Sequence, residues 1–503
     1  MSPVSMAWTA IISYIAITIF LTIRGALKTK DLTSYAVGSK DIPPILVGIS
    51  LSAQLTSVAT FVTNPGLIYK YGFSALAGFG FAAALGITTG LLLFSKPFFN
   101  MGSKIAAVTI PQWIGKKYNS VKMQVLFGFI SLTLIAFAVL IVVAVSMSLG
   151  QIIDIPAYTV VDGAFAYNPD FIKVIVSVVV FVFLYMMIGG VNTHAYTNSV
   201  QGIIMLIVAV ILIGSGLPLI FSAGGGLITK LREIDPELIK FISPSSDYFR
   251  NFFEVFICNF IVGLAIVCQP HIIGKVLYLK NEKQVKTYLW TAVIAGFVFS
   301  LVMFTGFYAK IILPDIARSD MVVPTYIAST FSPLMQIFLT IGILCAGLST
   351  LEGILLSMSA IFSIDMFIPL LNITDKKSDV NAKNKKALNL GRIALVIAAG
   401  LIIYLSIAQV KNPTGGSVVI FAMYGIYLLF TTSFFPICAG MFFPQISRNS
   451  VMAGIITSIV VYFGLAFFKV TYMHNNPAFL ASCAIVAGWI AIYGSHKVIK
   501  NRG

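Results

Sequence analysis

Long apolar runs separated by short polar segments dominate the chain from end to end. Each run approaches or exceeds the length of roughly 20 residues that a helix needs to cross a bilayer. Thirteen such spans are predicted, numbered 1 to 13 in chain order: 6–23, 44–69, 73–95, 123–152, 171–188, 195–222, 250–274, 287–312, 326–362, 389–409, 416–441, 450–468 and 478–495. They are too long for membrane strands and lack the alternation of an outer-membrane barrel. The pattern predicts an all-α polytopic membrane protein.

The polar segments between the spans are too short for a soluble domain. The longest are 223–247 and 370–388, and within the second the run 375–386 is predicted to be a solvated cytoplasmic connector. The segment 100–122 contains an amphipathic piece expected to lie at the inner interface. The whole chain, 1–503, is therefore expected to be a single transmembrane domain.

Two spans carry signals for an interrupted helix. Span 2 has a series of hydroxyl and amide side chains that ends in Asn64-Pro65-Gly66, and span 7 contains Gly263 and then Gln269-Pro270-His271. Proline removes a backbone donor and glycine lets the chain unwind. Five spans separate the two starts, and broken helices at matching positions are typical of a transporter built from inverted repeats. The alternative is that both are ordinary kinks.

Composition agrees with the membrane assignment, and the distribution of Lys and Arg among the loops predicts the orientation. Hydrophobic residues make up 58% of the chain and charged residues 10%, against about 25% charged in soluble domains. The net charge is +16, and most Lys and Arg, Lys275 among them, fall in loops on one side if the N-terminus is outside. The positive-inside rule then places the C-terminus in the cytoplasm. Because these charges are scattered along loops that face lipid headgroups, nucleic-acid binding is excluded.

Several other classes of protein are also disfavoured. All five cysteines lie inside predicted spans and form no C-x-x-C or Cys/His cluster, so neither a disulfide framework nor a metal site of that kind is expected. The first apolar run lacks a basic leader and is expected to be a retained helix. No nucleophile–base pair or phosphate-binding loop is found, and the chain is not expected to be an enzyme.

Span 9 carries the most informative polar pattern. Ala346, Ser349 and Thr350 stand at i, i+3 and i+4 and share one helical face. Their hydroxyl and carbonyl oxygens suit a hard monovalent cation, and carbonyls freed at the break in span 2 can complete its shell. The alternative is that the hydroxyls bond back to their own helix or allow close helix packing.

Few titratable side chains fall within the spans. Glu352 lies deep in span 9, and is expected either to bind a proton or cation or to form a neutral hydrogen bond. Glu254 is expected near the outer end of span 7 in a structural role. His271 is expected to line a pathway or to be a satisfied buried histidine, and His194 to be interfacial. No Lys or Arg is expected deep in any span.

These residues resemble the sodium/solute symporter family. The segments 189–192 (GGVN) and 198–205 (NSVQGIIM) are similar to the family signature around its fifth and sixth helices. Thirteen helices with an outside N-terminus are also that family's usual topology. Within the family, the resemblance is closest to the sodium/pantothenate symporters. The matching segments are 64–72 (NPGLIYKYG), 234–237 (IDPE), 270–271 (PH), 312–315 (ILPD), 323–325 (VPT) and 349–350 (ST).

The resemblance implies a LeuT-like core of two inverted five-helix repeats. The first repeat would occupy 44–225 and the second 248–441, with 1–43 and 442–503 peripheral. It also implies that sodium, the coupling ion, is held by the residues Ala53, Thr56, Ala346, Ser349 and Thr350. Ala53 and Thr56 would contribute carbonyl oxygens from span 2.

Two positions depart from the family pattern. Asn198 stands where many members carry an aspartate that is linked to a second sodium site or to coupling. An amide can coordinate sodium but adds no negative charge, so one coupling sodium is expected, and Asn198 and Glu352 are noted as possible coupling residues. Leu55 stands where many members have an acid or another polar residue, so substrate contacts do not transfer directly.

The substrate contacts expected by position are Gln54, Ser57, Thr60, Asn259, Gln269, Tyr424 and Tyr427. Either tyrosine is a candidate gate. The alternative for each residue is an ordinary polar contact between packed helices.

The expected function is sodium-driven symport of a small organic solute by alternating access, with a monocarboxylate such as pantothenate favoured. The expected partners are the solute, sodium and the lipid bilayer of the cell membrane, with the chain acting as a monomer. Three alternatives stay open: a proton-coupled carrier of the same fold that uses Glu352, a symporter for proline, a sugar or sialic acid, and a solute-binding sensor.

Overall fold

A computed structural model describes residues 2–27, 42–161, 164–221, 226–313, 316, 318–375, 379–411, 418–469, 473 and 475–500. Within these ranges, eleven helices are long and apolar enough to cross a membrane. Two further pairs of helices are each bent at a short break, and counting each pair as one span gives up to thirteen. The thirteen predicted spans are confirmed in that form. Their bounds are Pro3–Ala26, Pro44–Leu55 with Ala59–Tyr71, Phe73–Ile105, Val121–Ile152, Phe171–Ile188, Gly190–Ile220, Phe253–Ile266 with Pro270–Tyr278, Lys283–Ile312, Pro333–Thr374, Val380–Lys411, Val418–Phe442, Arg448–Phe468 and Pro477–Val498. The two halves of span 2 are called 2a and 2b below, and those of span 7 are called 7a and 7b.

Short elements fill the connections between spans. A hairpin between spans 4 and 5, which the sequence did not predict, pairs β1 (Tyr158–Val161) antiparallel with β2 (Ala164–Tyr167). The other short helices are Ile110–Lys117, Gly226–Ile234, Pro236–Ile239, Ser319–Met321 and Val322–Thr330. The first of these is the predicted amphipathic piece. Its Trp113 is fully buried and stacks on Phe98 of span 3.

Two predicted boundaries are wrong. Span 9 begins at Pro333 rather than at 326, and the residues before it form the separate helix Val322–Thr330. Ser332 has a ψ of 156°, because the ring of Pro333 disfavours helical geometry in the residue before it. The predicted connector 375–386 is also wrong in part, since helix Val380–Lys411 already includes its second half. Residues 376–378 lie outside the described ranges.

The distribution of polar and apolar side chains fits a bilayer as solvent. Large apolar residues such as Phe20, Ile397 and Phe467 are exposed on the outer faces of spans 1, 10 and 12. Serine, threonine, asparagine and glutamine side chains are buried between spans 2, 6, 7 and 9. Span 9 is the most buried of these helices and packs against spans 1, 2, 4, 6 and 10. It therefore lies at the centre of the bundle, next to both broken helices.

Candidate functional site

Span 2 breaks after Leu55, earlier than its Asn64-Pro65-Gly66 motif predicts. Helix 2a ends there, and 2b leaves at an angle of 51° through a π-helical turn, Ala59–Thr63. Helix Asn64–Tyr71 continues directly from this turn, and Pro65 lies where the π-helical turn passes into α-helix. Gly66 serves packing instead, because a Cβ at that position would lie 1.9 Å from the carbonyl oxygen of Ser319.

Span 7 breaks where the sequence predicts. Helix 7a ends at Ile266 and 7b begins at Pro270, with a bend of 55° between them. Gln269 is extended, with φ −71° and ψ 142°, as expected for a residue before proline. Gly263 lies against span 3, since a Cβ there would meet the carbonyl oxygen of Ala83 at 2.2 Å.

The carbonyl end of helix 2a faces the hydroxyl pair of span 9. Ser349 Oγ donates to the carbonyl oxygen of Ala53 at 3.2 Å and to that of Ala346 at 3.0 Å. Thr350 Oγ1 lies 3.0 Å from the carbonyl oxygen of Gln54 and 3.4 Å from that of Ala346. The side chains of Ser349 and Thr350 are completely buried. Two hydroxyl and three carbonyl oxygens thus form one hydrogen-bonded cluster.

Four of the five predicted cation ligands meet in this cluster. The fifth, Thr56, caps helix 2a, and its N–H bonds to the carbonyl of Ser52. Gln54 is predicted to contact substrate through its side chain, but its carbonyl oxygen joins this cluster in place of Thr56. An all-oxygen group at a helix break is the type of site that holds sodium in transporters. In the described part of the chain, no cluster of three or more His, Cys, Asp or Glu offers an alternative metal site.

A chain of hydrogen bonds links this cluster to Glu352. Asn198 Nδ2 donates to the carbonyl oxygen of Ser349 at 3.2 Å and lies 3.3 Å from His194 Nε2. His194 Nδ1 in turn lies 3.2 Å from Glu352 Oε2. Because a carboxylate oxygen only accepts hydrogen bonds, His194 Nδ1 carries the proton and donates a hydrogen bond to Glu352. His194 Nε2 then accepts from Asn198 Nδ2, so the imidazole is neutral. Asn198 thus lies beside the cation cluster and supports it through Ser349.

Glu352 is surrounded by donors from two neighbouring helices. Its Oε1 accepts from the Tyr185 hydroxyl and, at 2.6 Å, from Gln201 Nε2. Its Oε2 accepts from Thr197 Oγ1 at 2.6 Å as well as from His194. A carboxylate has about four lone pairs, so these four partners use its full capacity to accept hydrogen bonds. They tie span 9 to spans 5 and 6.

His194 and Lys275 are not where the sequence predicted, whereas Glu254 is. His194 is only 1% exposed and lies inside the bundle rather than at an interface. Glu254 is completely buried in the first turn of 7a, where it pairs with Arg250 and accepts from Asn476, as expected for a structural role. Lys275, assigned to an inner loop, is 1% exposed within 7b. The expected place of Lys275 in an inner loop is therefore wrong. The sequence carries no local signal for the burial of Lys275, which depends on the packing of 7b against 2a.

The predicted substrate contacts fall into two groups. Asn259 and Tyr427 line one cavity together with Phe79, Phe249, Met423 and Asn476, among others. Gln54 and Gln269 do not line it. The two atoms of the Gln54 side-chain amide and Gln269 Oε1 are buried without a hydrogen-bond partner among the described residues.

The remaining predicted contacts, Ser57, Thr60 and Tyr424, have separate surroundings. Ser57 Oγ accepts from the N–H of Ala59 in the break of span 2. Thr60 is buried in the π-helical turn. The carbonyl of Tyr424 accepts from the Tyr462 hydroxyl at 3.1 Å. Tyr424 does not line the cavity that contains Tyr427, so the two gate candidates have different surroundings.

Comparison with known proteins gives one consistent class. A model of the sodium:solute symporter family matches residues 35–458. The chain is 25% identical over 389 residues to a sodium/pantothenate symporter of Haemophilus influenzae, covering 75% of this chain and 73% of that protein. It is 23% identical over 485 residues to the sodium/pantothenate symporter of Escherichia coli, covering 93% and 92%. A sodium/proline symporter of Staphylococcus aureus is 24% identical over 517 residues, covering 97% and 92%.

A solved structure shares the fold. The substrate-bound outward-open state of a Na+-coupled sialic acid symporter superposes with a TM-score of 0.73, at 18% identity and with 97% of both chains covered. The two bent spans described above are consistent with the LeuT-like architecture of inverted repeats.

Proposed function

Since the chain belongs to the sodium:solute symporter family, and is therefore a multi-pass membrane transporter rather than an enzyme, we propose that it imports a small organic solute together with sodium. The observation that carries the proposal is the oxygen cluster between helix 2a and span 9. Ala53, Ala346, Ser349 and Thr350 would bind the ion, with Thr56 joining through its carbonyl. Sodium is a co-transported ion in this scheme, and no resident cofactor is part of it.

The mechanism is thermodynamic coupling through the break in span 2. An ion held by carbonyls of 2a and hydroxyls of span 9 stabilises the arrangement in which these two helices lie together. If the solute binds best to that arrangement, sodium raises solute affinity, and the solute must raise sodium affinity by the same factor. With one sodium per monocarboxylate anion no net charge crosses the membrane, so the sodium concentration gradient drives uphill transport. With a zwitterionic solute such as proline, the one net charge adds about 2.3 kcal/mol per 100 mV of membrane potential.

The solute we favour is a monocarboxylate such as pantothenate. Support comes from two relatives named sodium/pantothenate symporters, and from the segments that resemble that subgroup. The relative named as a sodium/proline symporter has similar identity, so proline is the second candidate. Asn259, Gln269, Gln54, Ser57, Thr60, Tyr424 and Tyr427 are the proposed lining residues.

The proposed organisation follows the distribution of charge and the repeats. Residues 44–225 and 248–441 form the two repeats, and the N-terminus lies outside the cell membrane with the C-terminus in the cytoplasm. We propose one sodium per solute, because Asn198 supplies an amide rather than a carboxylate. The chain is proposed to act as a monomer.

The test is uptake of radiolabelled pantothenate and proline into liposomes that contain the purified protein. Accumulation under an inward sodium gradient, lost when choline replaces sodium, is expected. Uptake that persists without sodium but collapses with an uncoupler would establish the proton-coupled alternative through Glu352. Sodium-dependent binding without accumulation would indicate a sensor and overturn the transport proposal.

A further inference from the structure

The amino group of Lys275 is buried and is held by neutral groups. Its Nζ donates to the carbonyl oxygen of Ser50 at 2.8 Å and to Ser50 Oγ at 2.5 Å. Both acceptors are neutral, and among the described residues no carboxylate forms an ion pair with Lys275. Glu352 interacts with it electrostatically, but the oxygens of Glu352 are already occupied by four other partners. A buried ammonium is expensive in free energy unless an anion balances it.

Buried polar atoms that lack a partner lie on both helices joined by the Ser50–Lys275 hydrogen bond, 2a and 7b. Gln54 follows Ser50 by four residues in the α-helix 2a, so these two side chains share a helical face. Lys275 lies in the 3-10 segment of 7b, four residues after His271, and the two side chains interact electrostatically. Gln54 Nε2, Gln54 Oε1 and His271 Nδ1 are buried without a hydrogen-bond partner in the described part of the chain. Nearly all buried polar groups in native proteins are paired, so such a group of atoms indicates a ligand.

Gly353 makes room for the Gln54 amide. A Cβ at position 353 would lie 1.3 Å from Gln54 Nε2. The amide is therefore packed against the backbone of span 9, one turn beyond the Ser349 hydroxyl. This position puts the unpartnered amide close to the cation cluster, whose Thr350 hydroxyl bonds to the carbonyl of the same Gln54.

We propose that Lys275, Gln54 and His271 form the binding site for the carboxylate of the transported solute. This inference rests on the proposed function and specifies its substrate class. An ammonium, an amide NH2 and an imidazole N–H are all donors, and a carboxylate accepts several hydrogen bonds from such groups. A carboxylate replaces the Ser50 oxygens on Lys275 and supplies the missing negative charge.

The site also discriminates among solutes of the proposed class. A neutral sugar leaves the Lys275 charge unbalanced. An α-amino acid brings an ammonium close to its carboxylate, and therefore close to Lys275. A monocarboxylate without an adjacent amine avoids both costs, and one sodium with one such anion enters without net charge.

The test is equilibrium binding to the purified full-length protein in saturating sodium. The probes are radiolabelled pantothenate and, as competitor, its alcohol analogue, in which a hydroxymethyl group replaces the carboxylate. The wild type is expected to prefer the carboxylate by about 10- to 100-fold, the range for one hydrogen-bonded charge. Equal affinity for the two probes would overturn the inference without any variant.

Single-residue variants test which side chains cause the preference for the carboxylate over the alcohol. Lys275→Gln should weaken pantothenate binding by about 10- to 100-fold and leave the alcohol unchanged, whereas Lys275→Arg should keep most of the preference. Lys280→Gln removes an exposed charge five residues later and should change neither affinity. If Lys275→Gln does not fold, Gln54→Met, which removes the amide at similar size, should still reduce the preference.

The failure of this inference is distinguishable from failure of the proposed function. If the wild type binds pantothenate with sodium while Lys275→Gln retains the full carboxylate preference, the carboxylate site is wrong and the symport proposal stands. If the wild type in liposomes accumulates neither pantothenate nor proline under a sodium gradient, the proposed function itself is refuted.

Discussion

The hydroxyl of Ser349 donates a hydrogen bond to the carbonyl oxygen of Ala53, which precedes it by 296 residues. This contact joins span 9, a largely buried helix, to the end of helix 2a. Each partner belongs to a different proposed repeat, so any movement of one repeat against the other must break or reshape it. A cation that binds these two oxygens would respond directly to that movement.

The double variant Ser349→Ala/Thr350→Ala should raise the sodium concentration for half-maximal uptake by about 10- to 100-fold or more, because two ligand oxygens are lost. Sodium titration of uptake, corrected for protein amount, is the measurement. Ser363→Ala is the matched control, since that hydroxyl only bonds back to Ser359 in the same span. Unchanged sodium dependence in the double variant would rule out this ion site.

Asn198→Asp should make folding stability depend more strongly on sodium. Asn198 Nδ2 donates to the carbonyl of Ser349, and an ionised aspartate there would place two acceptors together. The cost is about 1–3 kcal/mol without a cation and should be recovered when sodium binds between them. Thermal unfolding in sodium and in choline measures the difference. A wild-type ratio of two sodium ions per solute would separately refute the one-sodium proposal.

Glu352→Gln should destabilise the fold more than it affects sodium activation. The glutamine NH2 replaces one carboxylate oxygen, so it would face either Tyr185 and Gln201 or Thr197 and His194. The buried donors on that side would lose their acceptor. A loss of about 1–3 kcal/mol in unfolding free energy is expected. The melting temperature and the sodium dependence of uptake are measured together. Normal stability with uptake that has lost its dependence on pH would instead support a proton role.

Gly66→Ala should strongly destabilise the protein, because the added Cβ would lie 1.9 Å from the Ser319 carbonyl oxygen. Overpacking of this kind costs about 1–3 kcal/mol or more. Gly464→Ala in span 12 is the matched control, since its Cβ would meet nothing within 4 Å. Both are compared by thermal unfolding of the purified proteins. Equal melting temperatures would show that Gly66 does not serve close packing.

Sequence reasoning succeeded where the signal is local. The break in span 7 was predicted from Pro270, because proline constrains the residue before it whatever the surroundings. The break in span 2 was misplaced, because Pro65 is accommodated where the π-helical turn Ala59–Thr63 passes into α-helix, and Leu55 carries no breaking signal of its own. Helix 2a ends there while the carbonyls of Ala53 and Gln54 bond to hydroxyls on span 9.

The sequence by itself determined the class of this protein, its thirteen spans and the face of span 9 that carries Ser349 and Thr350. These follow from hydropathy, length and helical periodicity, which depend on neighbours along the chain. Tertiary structure alone decided that Lys275 is buried against Ser50 and that His194 and Asn198 connect Glu352 to Ser349. Those relationships join residues from separate spans, and a side chain's burial and partners depend on which helices pack together rather than on its position in the chain.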